Sequence, residues 1–266
     1  MNDIPARPSG SAAELDGSTI LAKTAELGDY FALPLAGEDD WVGEGGDEAE
    51  WLSLQTFFDR GVMGEFVART REAVAESAHC ESSSIATKMA ASVFQLGVAA
   101  RLLSPVVGAA TCFGAMPLLD LRSVRWQPAP NHTPRFALTD VDWVATPTVS
   151  LAAAAISTSV LANVFAPLNE NLRALTALSQ KVTWGNVMSA ANGAVTVLAM
   201  SQPHHEGHGR ALVRALADTE QLTGTAIFAS DTFTRRSCCL FYQAPGSGLC
   251  TDCVLAESDG SHRARR

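Results

Sequence analysis

The stretch RRSCCLFYQAPGSGLCTDCVL, residues 235–255, holds four of the chain's six cysteines: Cys238, Cys239, Cys250 and Cys253. Their spacing is C-C-x10-C-x2-C. Thiolates are soft donors, and four of them suit zinc or an iron–sulfur cluster. The CTDC half, 250–253, wraps so that two sulfurs converge on one metal. Its counterpart is the adjacent pair Cys238–Cys239, whose Cα atoms sit about 3.8 Å apart across one peptide bond. Neighbouring side chains point in different directions, so gripping one small tetrahedral ion is awkward for them. A [2Fe–2S] rhombus is larger and takes ligands at two irons. Chemistry alone therefore ranks the cluster first, zinc second, and a redox or disulfide thiol pair third.

The elements that must position these sulfurs are set by composition. At 266 residues the chain can bury a real core without crosslinks. Apolar residues make up 47 % and aromatic residues only 7 %, a balance that favours helices packed through small side chains. The net charge of −9 argues against a nucleic-acid partner, which needs a basic face. The first residues, MNDIPARPSGSAAELDGS, are polar and lack the apolar core of a secretory signal, so the chain reads as cytoplasmic. Clustered cysteines in a reducing compartment are metal ligands or redox groups before they are disulfides.

Two nearly uncharged stretches, 89–119 and 143–168, raise the question of membrane spans. Pro105, Pro117, Pro147 and Pro167 cut them into pieces short of the ~20 apolar residues that a span needs. They are read as buried helices of a soluble domain with no integral span, peripheral membrane contact being left open.

The expected fold is mainly α: a soluble helical domain with a short β-hairpin and a C-terminal iron–sulfur segment. Residues 1–47 form a poorly defined acidic region, with a disordered start, a first helix over 13–28 and a glycine-rich acidic connection over 37–50. The helical domain covers 48–224, with helices over 48–59, 62–78, 84–103, 105–114, 148–165, 167–180, 183–200 and 209–222. VRWQPAP (124–130) and RFALTDVDWV (135–144) alternate and read as paired extended segments. The cluster segment covers 225–258, opening on the extended run TAIFASDTF, and 259–266 is a mobile basic tail.

Other candidates are weaker. The seven carboxylates of GEDDWVGEGGDEAE lack the alternation of a calcium loop and read as a solvated connection. His204, His205 and His208, with Glu206, read as an exposed inter-helix loop before they read as a metal site. Cys80 and Cys112 lie far from the motif, and Cys112, in an apolar run, reads as a small buried hydrophobe. Arg235 and Arg236 either tune a metal centre, dock an anionic donor, or are plain surface charge. Trp184 is a core tryptophan first and a substrate-facing one second. No G-x-G-x-x-G, P-loop or G-x-S-x-G is present, so no nicotinamide or flavin site of its own is expected.

The cysteine segment resembles the C-terminal signature of the FhuF-like ferric-siderophore reductases, which carry this same spacing around a [2Fe–2S] cluster. The similarity continues in SVFQLGVAARLLSPVVGAA (92–110), VRWQPAP, and LNENLRALTALSQKVTWGNVMSAANGAV (168–195), with its W-G-N. It covers roughly 85–260, and the first 80 residues resemble nothing nameable. The resemblance implies a [2Fe–2S] cluster on Cys238, Cys239, Cys250 and Cys253, one-electron reduction of a ferric siderophore to release Fe(II), and an external ferredoxin-like or flavin reductant. The alternative, of a different class, is a non-catalytic iron–sulfur or zinc carrier or sensor.

Within such a cluster, Cys250 and Cys253 are expected to share one iron and Cys238 and Cys239 the other. Arg235 and Arg236 would draw the added electron to the latter. The ligand set has a direct check. Cys→Ser at 238, 239, 250 or 253 should bleach or destabilise the visible spectrum, while Cys80→Ser and Cys112→Ser leave it intact. A full spectrum in Cys239→Ser would remove the adjacent pair from the ligand set.

Overall fold

The computed structural model of the chain describes residues 16–37, 50–129, 133–229 and 232–256. The expected disordered start, most of the acidic connection and the basic tail lie outside the described residues.

The architecture is mainly α. In chain order the elements are α1 (Gly17–Ala25), β1 (Leu52–Ser53), α2 (Leu54–Phe57), α3 (Arg60–Ser77), α4 (Thr87–Phe113), β2 (Ala115–Pro117), β3 (Val124–Gln127), β4 (Arg135–Leu138) and β5 (Trp143–Ala145). Then come α5 (Val149–Ile156), a π-helical run Ser157–Phe165, α6 (Ala166–Thr176), α7 (Gln180–Ser201), α8 (Glu206–Ala217), β6 (Ala226–Ala229) and β7 (Thr232–Arg235). Short polar side chains start several helices by accepting otherwise unpaired amide hydrogens. Asp16 accepts from Thr19, Asp59 from Gly61 and Val62, Thr148 from Leu151, and Ser179 from Lys181.

The central layer is the pair α4–α7, with α3 on the outer side of α4 and α8 on that of α7. α4 is apolar on every side because it is covered on every side. Polar side chains stitch this pair together in the core. Gln95 Nε2 of α4 donates to Asn169 Oδ1 of α6 at 3.0 Å and to the Thr183 carbonyl of α7 at 3.2 Å. Asn186 Nδ2 of α7 donates to both the carbonyl and the hydroxyl of Ser92, each at 3.0 Å. Such bonds stabilise the pair modestly, but orphaning either partner would leave a desolvated polar group.

The expected hairpin is present: β3 and β4 pair antiparallel, with Trp126 opposite Phe136, and β1 extends the sheet along β3. β5 does not extend this hairpin; it pairs with β2 after α4. The sheet closes over an aromatic cluster centred on Phe57, whose ring lies 5.3–6.0 Å from those of Phe66, Phe94, Trp126 and Phe136. Trp126 Nε1 is satisfied by the Ser53 carbonyl and the Thr56 hydroxyl.

Two expected helix breaks are absent. Pro105 lies inside α4, which runs unbroken to a left-handed Gly114 with φ 64°. Proline removes the bond that residue 105 would donate to the Arg101 carbonyl and carries a penalty of about 3 kcal/mol in a helix interior. The apolar burial of both halves of α4 outweighs it. Pro167 starts α6, as expected, but the chain arrives there already helical. Pro167 cannot donate to the carbonyl one turn back, and the backbone widens ahead of it, Ala166 donating to the Leu161 carbonyl five residues earlier. Helix is also absent at 50–53, where β1 forms instead.

As a consequence, two helical stretches, Thr87–Phe113 and Val149–Thr176, are long and apolar enough to cross a membrane by length and composition. The most apolar window of the first is 67 % buried within the fold and that of the second 44 %.

Phe57→Ala should destabilise the protein by about 3–5 kcal/mol, the range for removing a fully buried phenylalanine. Denaturant unfolding followed by far-ultraviolet dichroism measures this. A change below about 1 kcal/mol would mean that the sheet does not depend on the ring cluster.

Candidate metal centre

The cysteine segment is delivered by a hairpin. β6 and β7 pair antiparallel with Ala226 opposite Arg235, so the last residue of β7 stands three positions before the first cysteine. The Arg236 amide donates to the Thr225 carbonyl, and the Arg235 amide to the Asp252 carbonyl, which joins the hairpin to the second cysteine loop.

The two loops hold their sulfurs in one repeated way. The Leu240 amide donates to Cys238 Sγ at 3.3 Å, and the Leu255 amide to Cys253 Sγ at 3.4 Å. The Phe241 amide donates to Cys239. Each bond runs to a sulfur two residues earlier and charge-stabilises a thiolate. Leu240 adopts φ 69°, a left-handed conformation costly for a branched residue, and so turns the chain after the adjacent cysteines.

One pair of sulfurs meets across the loops: Cys239 Sγ lies 3.9 Å from Cys250 Sγ. The bond with Cys250 holds the Cys239 thiol down to about 5 against the opposing effect of burial, with the charge of Arg235 pulling the same way. The same bond pushes the Cys250 thiol up. Burial raises that of Cys238.

Arg235 is the residue that the sequence did not place. Its side chain is 1 % exposed, the largest fully buried side chain described. Nη1 donates to Asn186 Oδ1 of α7 at 2.9 Å, and Nη2 to Cys250 Sγ at 3.0 Å. Nε lies 3.2 Å from Asp252 Oδ2, close enough for an ion pair though not aligned as a hydrogen bond. Asp252 Oδ2 also accepts from the Ser189 hydroxyl of α7. Burial opposes the charge, but Asp252 and the sulfurs of Cys239 and Cys250 outweigh it and raise the guanidinium above its ordinary value. A buried cation needs such paired, hydrogen-bonded surroundings. Arg236 points out to solvent, its Nε 3.3 Å from the Ala226 carbonyl.

The W-G-N of α7 is the dock for this segment. Trp184 is 8 % exposed and belongs to the core, as its first reading had it. Gly185 leaves room for Ser237: a Cβ there would stand 2.1 Å from the Ser237 hydroxyl. Asn186 takes the guanidinium on one side and Ser92 of α4 on the other.

The surroundings of the segment differ sharply in exposure. Cys239 and Cys253 are buried, whereas Phe241, Tyr242 and Leu249 are exposed large apolar side chains. A groove of about 330 Å³ runs between this loop and the end of α3, lined by Val74, Ser77, Phe241 and Pro245 among others. Larger cavities beside Arg101 and Arg135, and beside Asp120 and Asp142, have no cysteine in their walls.

Residues 235–255 match the family model of the FhuF 2Fe-2S C-terminal domain, with the four cysteines at the motif positions. Over these residues the segment is similar to that iron–sulfur domain. Comparison with curated proteins gave no match. The cofactor is accordingly a [2Fe–2S] cluster, and the residues fit it: four soft donors on two loops, amides bonded to sulfur, and a buried cation to offset thiolate charge. Among the described residues, no three His, Cys, Asp or Glu side chains converge on one ion-sized point, so the histidines at 204, 205 and 208 form no such group. Cys112 is half-buried, with its thiol pushed up to about 11 by that burial, and Cys80 packs at the core edge.

Gly185→Ala should lower the cluster content of purified protein by forcing Ser237 off α7, with helical dichroism unchanged. Adding Ser237→Ala should restore it, since the clashing hydroxyl is then gone. Equal cluster content in the wild type and both variants would show that the segment does not dock through this contact.

Proposed function

We propose that the chain is a ferric-siderophore reductase, delivering one electron to the bound Fe(III) and releasing Fe(II) on the cytoplasmic side. The reading is carried by the four cysteines of the FhuF-type segment, half-buried and buried at the edge of an exposed apolar loop. Siderophores hold Fe(III) through hard oxygen donors; Fe(II) is softer and less charged and binds those oxygens far more weakly, so reduction is the release step. When bound, the [2Fe–2S] group supplies single electrons at low potential, plant-type centres lying near about −400 mV.

The protein's part is positional. Cys238, Cys239, Cys250 and Cys253 hold the cluster. Asn186, Ser189 and Asp252 hold Arg235 and, through it, the loop of Cys250. Phe241, Tyr242 and Leu249 keep a surface free of charge beside the sulfurs, where a large chelate and a donor can each approach. No general base or oxyanion site is required for outer-sphere reduction. With no nucleotide-binding motif in the sequence, the electron comes from a separate ferredoxin-like or flavin reductant. Trp184, being in the core, is not assigned to the substrate.

The test is to reduce the cluster anaerobically and mix it with hydroxamate, catecholate and mixed-donor ferric siderophores. Cluster reoxidation with one trapped Fe(II) per cluster is expected for at least one class, at a rate at least tenfold above a Cys250→Ser control. Reoxidation only by oxygen or by a small redox dye, with no Fe(II) from any chelate, would favour a carrier or sensor role. Recovery of the protein in the detergent phase as an integral membrane protein would overturn the assigned compartment.

A further inference from the structure

The geometry points to Arg235 as a positioning residue that wires the cluster crosswise: Cys239 and Cys250 share one iron, Cys238 and Cys253 the other, and the first iron is the one that takes up the added electron. The wiring is a statement about the cluster alone and does not depend on what the protein reduces.

Three observations carry it. The first is the approach of Cys239 Sγ to Cys250 Sγ, 3.9 Å, which leaves Cys238 and Cys253 for the other iron. Two sulfurs on one tetrahedral iron at about 2.3 Å must lie within 4 Å of each other, and the cross-loop pair does. The second is local: the Leu240 and Phe241 amides hold Cys238 and Cys239 separately, and a chelate of one iron by two adjacent residues would be strained. The third is the buried guanidinium. It donates to Cys250 at 3.0 Å, and Cys239 is among the groups whose charge acts on it.

A positive charge favours the extra electron on the nearer iron, and burial strengthens that preference over what an exposed charge would give. Asp252 tempers this, its carboxylate meeting Nε at 3.2 Å and being itself bonded to Ser189, while Nη2 stands directly against Cys250 Sγ at 3.0 Å. Arg236, in solvent, has no part in it. This replaces the wiring expected from the cysteine spacing, in which each loop owned one iron and both arginines favoured the Cys238/Cys239 side. The W-G-N also gains a redox meaning: Asn186 fixes the far end of the guanidinium, so α7 sets the direction in which the charge is aimed.

The pairing can be read in the unmutated holoprotein. In the half-reduced cluster, β-protons of cysteines on Fe(III) and Fe(II) differ in the size and temperature dependence of their paramagnetic shifts. With each cysteine assigned, Cys239 and Cys250 should show Fe(II) behaviour together, and Cys238 and Cys253 Fe(III) behaviour together. Cys250 grouping with Cys253 would overturn the crosswise wiring. The role of Arg235 is read from midpoint potentials: Arg235→Gln should shift the midpoint downward, and Arg235→Lys, which keeps the charge but not the fork, should shift it less. Arg235→Gln with its cluster intact and the wild-type midpoint would overturn the tuning. If that variant fails to assemble, Arg235→Met, which also removes the charge, decides, an unchanged midpoint again overturning it.

Discussion

A guanidinium taken out of water must be met on every side, and much of the functional half of this protein is arranged to meet one. Arg235 is nearly inaccessible to solvent, and its three nitrogens reach an asparagine of α7, a carboxylate of the second cysteine loop and a sulfur. Removing one partner from a buried ion pair typically costs about 3–5 kcal/mol, a large fraction of the stability of an ordinary domain. The position of the loops relative to α7 is therefore tied to a strong, direction-dependent interaction rather than to apolar contact alone. Hydrophobic packing would tolerate a small slide; a fork held at three points does not.

Beneath that fork, the polar chain continues inward. Asn186 uses its carbonyl for Arg235 and its amide for Ser92, so the cation and the α4–α7 interface share one side chain. Gln95 and Asn169 do the same one turn away between α4, α6 and α7. The motif residues noted in SVFQ, LNEN and W-G-N are thus joined through the centre of the molecule, although they lie up to 94 residues apart in sequence. Their worth lies in specificity of arrangement, since the bonds they make depend on this packing of α4, α6 and α7.

How legible this was depended on how local the signal was. The four cysteines, their spacing and the helical character of the chain could be read directly, because spacing and periodicity are local. The β3–β4 hairpin was legible for the same reason. Arg235 was not: a charged residue beside a loop is ordinarily solvated, and its partners are Asn186, 49 residues away, and Asp252 on the far side of the cysteine loop. C-x2-C suggests a self-contained chelate, and spacing gives no sign of the approach of Cys239 to Cys250, which depends on how the two loops fold onto one another. Pro105 misled because its penalty is a local cost that burial of all of α4 overrides, and Pro167 because a widened turn absorbs the missing donor.

The placement of the dock on α7 also has a consequence in time. A chain emerging from the ribosome tends to fold its earlier parts first, and α4, α6 and α7 are complete before Cys238 has been added. Trp184, Gly185 and Asn186 are then already presented as a finished seat, and the cysteines arrive late and together, within sixteen residues of one another. Iron and sulfide thus need to be loaded onto a body that has already folded, once all four cysteines are present. A chain whose loading is delayed keeps a folded body carrying four unliganded thiols, which makes the balance between loading and thiol oxidation, rather than folding itself, the step that decides how much working protein a cell obtains.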